Sequence, residues 1–183
     1  MLAISGRVST GPDSVVRNLP IFSVDAGLAF ERQFDWFGRN LTQTLEPRLY
    51  YLLVPQRTQN NIPVFDSGLA DFSFATIFSD NIYSGVDRIA DANQITAALT
   101  SRLIDPQSGE EYVRGLVGQR YYFAKQHVTL PGEPARPGGA SDFLAALSGR
   151  LMPNTYMDTA WQYDPRDGET ERFSIGGRWQ PEV

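Results

Sequence analysis

The sequence predicts an all-β chain of long antiparallel strands in up-and-down order, and three observations predict it. Apolar and polar residues alternate with a period of two over seven stretches, with an eighth at the N-terminus. Successive strand residues point to opposite faces, so such a stretch carries one greasy face and one wet one. Most stretches run to about ten residues or more, against roughly five or six for globular strands. The connections alternate between short turns and longer loops, which trims one end of the sheet and elaborates the other.

Residues 2–8 read as a strand cut off at its start, followed by a medium loop to Pro20. Strand 21–33 sets Phe22, Val24, Ala26, Leu28 and Phe30 against Ser23, Asp25, Gly27, Ala29 and Glu31. After a short turn, strand 41–54 sets Leu41, Leu45, Leu49, Tyr51 and Leu53 against Thr42, Thr44, Glu46, Arg48 and Tyr50. Pro47 interrupts it and cannot donate to a ladder, which predicts a bulge there. The long loop 55–92 places Phe65, Leu69 and Phe72 at helical spacing behind Asp66 or Ser67 as a cap. A short helix folded over the sheet's end fits this spacing, and so does an irregular loop tucking in its aromatics.

Strand 93–104 opposes Ile95, Ala97, Leu99 and Leu103 to Gln94, Thr96, Thr100 and Arg102. Strand 111–123 opposes Val113, Val117, Tyr121 and Phe123 to Arg114, Arg120 and Tyr122. A Gly- and Pro-rich loop, 124–141, leads to strand 142–152, with Phe143, Ala145, Leu147 and Leu151 against Asp142, Ser148 and Arg150. Strand 156–164 opposes Met157, Trp161 and Tyr163 to Asp158, Gln162 and Asp164. The tight turn DPRDGE uses Pro165 and Gly168, and strand 170–180 opposes Phe173, Ile175 and Trp179 to Arg172, Ser174 and Arg178.

Alternation fits two architectures. A soluble β-sandwich buries the apolar face, whereas an outer-membrane barrel turns it to lipid. Strand length favours the barrel, because tilted spanning strands need about nine to eleven residues. The apolar face is also nearly free of charge. Its polar members are Gln43, Ser101, Gln119 and Thr159, with Arg32 at a strand end, while the other face carries both signs. Trp36 and Phe37 beside one turn, Tyr121–Phe123 at a strand end, and Trp161, Tyr163 and Trp179 near others suit interfacial girdles.

Composition excludes several classes. A net charge of −5 with no basic cluster argues against nucleic acid. The absence of cysteine removes disulfides, thiolate metal sites and cysteine nucleophiles. No run of eighteen apolar residues marks a transmembrane helix, and MLAISGRVSTGPD lacks the pattern of a signal peptide. The chain therefore reads as a protein that stays inside the cell or as an internal piece of something larger.

Four stretches resemble the barrel domain of the LptD family, the lipopolysaccharide-assembly proteins of Gram-negative outer membranes. They are PIFSVDAGLAFER (20–32), TQTLEPRLYYLLVP (42–55), YSGVDRIADANQIT (83–96) and VGQRYYF (117–123), in the family's order. The resemblance covers about 14–123, with QYDPRDGETERFSIGGRW (162–179) looser. It implies that residues 1–183 are part of a twenty-six-stranded, multi-pass barrel in the cell outer membrane. It further implies an LptE-type plug lipoprotein inside, and lipopolysaccharide delivered by a periplasmic bridge through an N-terminal domain. This chain resembles the middle of that barrel, without the jelly-roll, cysteines, exit seam or C-terminal strand. The long loops would be extracellular and the short turns periplasmic.

The site expectations follow. Asp25, Glu46, Arg48, Arg102, Arg114, Arg120 and Arg150 are expected to face a water-filled lumen. Arg102, Arg114, Arg120 and Arg150 would meet acidic sugars or phosphates or, preferably, bridge to carboxylates of neighbouring strands. Asp87 and Arg88 would fix the long loop at the rim, as a pair or as solvated residues. Asp80, Asp87 and Asp91 lack the spacing of a calcium loop and read as ordinary loop carboxylates. His127 has no nucleophile motif beside it and reads as a solvated loop residue. No enzyme, metal or cofactor is expected. The rival readings are a sandwich module binding carbohydrate and a small self-contained eight-stranded barrel.

Overall fold

The computed structural model of the chain describes residues 18–180 apart from Phe37, Asn61, Val86 and Pro153. The strand expected at 2–8 lies outside the described residues. Eight antiparallel strands form one sheet: β1 (Phe22–Gly27), β2 (Phe30–Trp36), β3 (Arg39–Val54), β4 (Ala92–Ile104), β5 (Glu111–Tyr122), β6 (Gly139–Met152), β7 (Thr155–Asp164) and β8 (Glu169–Trp179). β1 and β2 both pair with β3, and each later strand pairs with the next. β8 does not pair back to β1 or β2 among the described residues, so the sheet is open rather than a closed eight-stranded ring.

The strand expected over 21–33 is two elements, and Pro47 is the cause. Gly27 pairs with Arg48 and Phe30 with Leu45, so the register carries through the break unchanged. Leu28 N donates to Pro47 O at 3.0 Å. An antiparallel pair of this kind exchanges two bonds, but Pro47 has no N–H to return one. The ladder loses a bond without gaining a residue, and the expected bulge at Pro47 is absent. The register shifts fall elsewhere, at Leu103/Ile104, Gln119/Tyr121, Arg150/Met152 and Gln162/Tyr163.

The register aligns the apolar residues into one face across the whole sheet. Phe22 lies opposite Leu53, Leu99 opposite Val117, Val117 opposite Ala145, Ala145 opposite Trp161, and Trp161 opposite Phe173. This face is open: Leu49 is 50% exposed, Leu147 46% and Phe173 63%. The polar face is the covered one over β3–β5, where Thr44, Tyr50, Leu52, Gln94, Thr96 and Arg120 are buried. A soluble sandwich buries the opposite side, so this burial does not favour the sandwich reading. No second sheet covers the leucines among the described residues.

Aromatic residues mark two levels on the open face. Tyr51, Tyr121 and Phe123 cluster near the long-loop end, as do Phe143, Trp161 and Tyr163. Trp36 and Trp179 sit by the short turns. Between Val113 and Tyr121, eight steps of β5 span ~27 Å of strand, or ~21 Å of depth at the usual tilt of ~40°.

The polar members of this face are satisfied by neighbouring strands. Arg32 Nε donates to Gln43 Oε1 (2.7 Å), Gln43 Nε2 to Ser101 Oγ (3.3 Å), and Ser101 Oγ to Thr44 O (2.9 Å). Gln119 Nε2 donates to Ser141 O and Thr159 Oγ1 to Leu147 O. Arg32, expected at a strand end, lies inside β2, which continues to Trp36.

Candidate functional site

The chemistry of the chain gathers on the polar face, where residues 55–91 lie against β3–β5. The helix expected behind Asp66 or Ser67 does not form. Leu69 instead bridges Tyr83, with Ala70 N donating to Ile82 O and Ser84 N to Gly68 O. Gly85, at φ 76°, closes this ribbon in a conformation that favours glycine, and a Cβ there would meet Asp66 Oδ1 at 2.5 Å. One helical turn appears later, where Ile77 N donates to Ser73 O at 2.8 Å. That turn reaches down the sheet rather than over its end.

Arg120 anchors it. The side chain is 1% exposed and donates to the carbonyls of Thr76 (3.2 Å) and Ile77, to Thr96 Oγ1 (3.3 Å) and to Tyr122 Oη (3.4 Å). Phe72 lies 5.6 Å from the guanidinium. A planar fork carries five donors spread over three nitrogens and so reaches several separated acceptors at once, whereas a lysine has three donors on a single nitrogen. Thr96 Oγ1 donates to Ile77 O at 3.2 Å, so wall and turn share one acceptor. Gly118 makes room, since a Cβ there would meet Ile77 Cδ1 at 3.1 Å and Phe74 Cε1 at 3.3 Å. Glycine inside a strand commonly marks close approach of another segment. That signal in VGQRYYF was available in the sequence; the partner, Ile77, carried none.

The remaining arginines divide by partner. Arg48 grips Asp25 with two bonds, Nε to Oδ1 at 3.0 Å and Nη2 to Oδ2, and lies 4.0 Å from the Phe78 ring. Arg102 bridges Glu46 at 2.7 Å and approaches Glu111 at 3.9 Å. Arg150 pairs with Glu110. Arg48 thus meets a carboxylate of β1, Arg102 one of β3, and Arg150 one in the turn before β5. Arg120 does not, because carbonyls of the long loop take its donors, and Arg114 has no carboxylate within bridging distance among the described residues.

Asp87 and Arg88 act on the loop's backbone. Asp87 Oδ2 accepts from the amides of Phe65 (2.9 Å) and Asp66 (3.1 Å). A hydrogen bond with Asp87 raises the Asp66 carboxyl above its ordinary range. Arg88 is 5% exposed and donates through Nη1 to Gln59 O at 2.8 Å. Asp80 accepts from Tyr50 Oη, and Asp91 accepts from the amides of His127 (2.9 Å) and Val128 (2.8 Å). Asp80, Asp87 and Asp91 thus serve three separate sets of donors and do not converge on a point. The His127 ring is half exposed, 3.4 Å from Asp91. Tyr83 Oη donates to Val128 O at 3.0 Å, and burial pushes its hydroxyl above the usual phenol range. The two long loops are therefore latched together through Asp91 and Tyr83.

Comparison with known proteins matches this architecture. A family model described as "LptD: LPS transport system D" fits residues 3–183, well beyond the 14–123 over which the sequence motifs resemble the family. An Aromatoleum aromaticum protein described as LPS-assembly protein LptD is 56% identical over 180 residues, which is 98% of this chain and 23% of the relative. Proteins of the same description from Azoarcus sp. and Thiobacillus denitrificans are 57% and 48% identical, over 92% and 94% of the chain. The chain spans less than a quarter of the length of the curated relatives it matches, 21% to 24%.

Proposed function

The chain belongs to the LptD family, and from that premise we propose that it is a stretch of barrel wall in an outer-membrane machine that assembles lipopolysaccharide. The observation that carries the reading is the inverted burial: leucines open on one face, and an arginine buried on the other. Hydrocarbon covers the open face, and water and saccharide meet the polar one. Asp25, Glu46, Arg48, Arg102, Arg114 and Arg150 then line the lumen, where charges of both signs stay hydrated. Residues 55–91 fill part of that lumen, fixed by Asp87, Arg88 and Arg120, and the long loops open to the cell exterior.

The work is structural and conductive rather than catalytic. The wall holds a hydrophilic passage open, receives an LptE-type plug lipoprotein, and accepts lipopolysaccharide delivered by periplasmic bridge components through other parts of the full-length protein. Among the described residues both sheet edges, β1/β2 and β8, offer unpaired ladder groups. Neighbouring strands of a larger barrel would pair them, since exposed edges otherwise invite aggregation.

The test places a fluorescent amino acid singly in the full-length protein, reconstituted in bilayers containing brominated lipid. Probes at Leu49, Leu99 and Leu147 should be quenched by lipid, and probes at Thr100 and Ser174 by a water-soluble quencher only. Lipid quenching at the second set, or none at the first, overturns the assignment.

A further inference from the structure

We propose that Arg114, together with Arg102, holds a phosphate or carboxylate group of the lipopolysaccharide saccharide on the polar face; this rests on the lipopolysaccharide-assembly reading above. The two residues lie directly opposite each other on β4 and β5. Like charges at directly opposed positions destabilise a sheet, so the arrangement calls for an anion between them. The nearby carboxylates do not supply one to Arg114. Glu46 gives one oxygen to Arg102 and the other to Thr44 Oγ1 at 2.8 Å, and Glu111 lies 3.9 Å from Arg102 Nε, which is buried without a hydrogen-bond partner. On its other side Arg114 faces Ser148. Its Nε is buried and without a hydrogen-bond partner, and no ion pair reaches its guanidinium among the described residues.

Both arginines line a cleft of about 750 Å³ together with Glu46 and Ser148, and the long loop contributes Phe74 and Phe78 to it. A cleft lined by both guanidinium forks and an aromatic ring suits a charged sugar: the forks take the oxyanion in paired bonds, and Phe74 offers an apolar surface to the pyranose, since Arg48 already lies over the Phe78 ring. A plain inorganic ion would leave the aromatic side unused. The site lies toward the short-turn end of β4 and β5, the end at which the proposed function brings saccharide in.

The experiment uses the full-length protein in outer membranes with its partners. A photo-crosslinking amino acid replaces Ser148, and a second preparation carries it at Ser174, farther across the same face. Capture of lipopolysaccharide at position 148 is expected. Arg114→Gln should cut that yield at least roughly tenfold, as loss of a charged hydrogen bond implies, while leaving capture at 174 and the heat-modifiable migration of the folded barrel unchanged. Arg114→Lys, which keeps charge but loses the fork, should fall between. An unchanged yield in Arg114→Gln overturns the proposal, because a merely structural arginine opposite another is best removed. Capture of only a protein at 148 overturns it too, assigning the cleft to a plug carboxylate. Lipopolysaccharide captured at 174 and not at 148 removes this site and leaves the wall reading standing; capture at neither removes both.

Discussion

Leu49→Arg separates lipid from water on the open face more sharply than any other single change. Leu49 lies on the open face of β3 one pair from the mid-level that Pro47, Leu99 and Val117 mark, between Ala26 and Ala97 of its neighbours, and is 50% exposed. On a face that met water, exchanging a half-exposed leucine for arginine would alter stability by no more than about 0.5 kcal/mol. At the midplane of a bilayer the same arginine costs roughly 2–4 kcal/mol. At 1.36 kcal/mol per tenfold, that is roughly a 30- to 900-fold loss in the folding equilibrium. Thr100→Arg is the control on the polar face: Thr100 pairs with Glu46, which gives a new cation a carboxylate neighbour. The assay is urea titration of the full-length protein in lipid vesicles, with the folded fraction read by heat-modifiable migration. Leu49→Arg should lose about 2–4 kcal/mol and Thr100→Arg less than about 0.5 kcal/mol. Equal, near-neutral effects would refute the claim that hydrocarbon covers the leucines.

Three further outcomes are expected. Arg120→Met removes the guanidinium bonds to the carbonyls of Thr76 and Ile77, which keep only Ser79 N and Thr96 Oγ1 as donors; a loss of about 1.5–3 kcal/mol in loop docking should speed trypsin cleavage after the buried Arg88 roughly ten- to a hundredfold. Pro47→Ala restores an N–H opposite Leu28. The new bond gains about 0.5–1.5 kcal/mol, which the lost stiffness of proline largely offsets, so the signature is a slowly exchanging backbone amide at position 47 of the variant and not a shift in stability. Asp105, in the turn between β4 and β5, accepts from the amides of Gln107 (2.7 Å) and Ser108 (3.1 Å), which hold its carboxyl below the usual range. Its contribution is therefore complete above the ordinary carboxylate pKa and lost as pH falls through the lowered one; Asp105→Ala should destabilise at neutral pH, and the gap to wild type should close in acid.

The two-faced strands are legible in the sequence because period two is a property of the backbone, and every strand from β3 to β8 obeys it. Which face stands open is legible too, since Gln43, Ser101, Gln119 and Thr159 are its uncharged exceptions and each is satisfied by a neighbour. The interior of residues 55–91 is not. Its helical spacing at Phe65, Leu69 and Phe72 is real, but Leu69 pairs with Tyr83 because the ribbon latches onto the wall through contacts distant in sequence, and spacing carries no record of those. Pro47 misleads for a related reason. A proline removes one donor, and whether the chain answers with a bulge or a missing bond depends on its neighbours' register. Of the arginines, those with a carboxylate in cross-strand reach are readable, whereas Arg120 is claimed by Ile77, a residue 43 positions away.

The buried apolar residues are few, and their location explains what holds the wall together. Tyr50, Leu52, Val54 and Ala92 form the cluster, with Leu19, Phe78 and Ile89 against it, all at the long-loop end. Below that level the buried apolar side chains are scattered, with Leu41 near the first short turn, Ile77 of the long loop and Leu144 of β6, while Leu45, Leu49, Leu99 and Leu147 stand on the open face. Backbone ladders cannot replace a core in water, where each bond nets only about 0.5–1.5 kcal/mol. In hydrocarbon the balance differs, because an unpaired backbone group there costs several kcal/mol. The ladder is then enforced by its surroundings, and the same logic accounts for the relay from Arg32 through Gln43 and Ser101 to Thr44 O. Each donor of this relay on the open face is given an acceptor on an adjacent strand, so the relay stitches β2, β3 and β4 together.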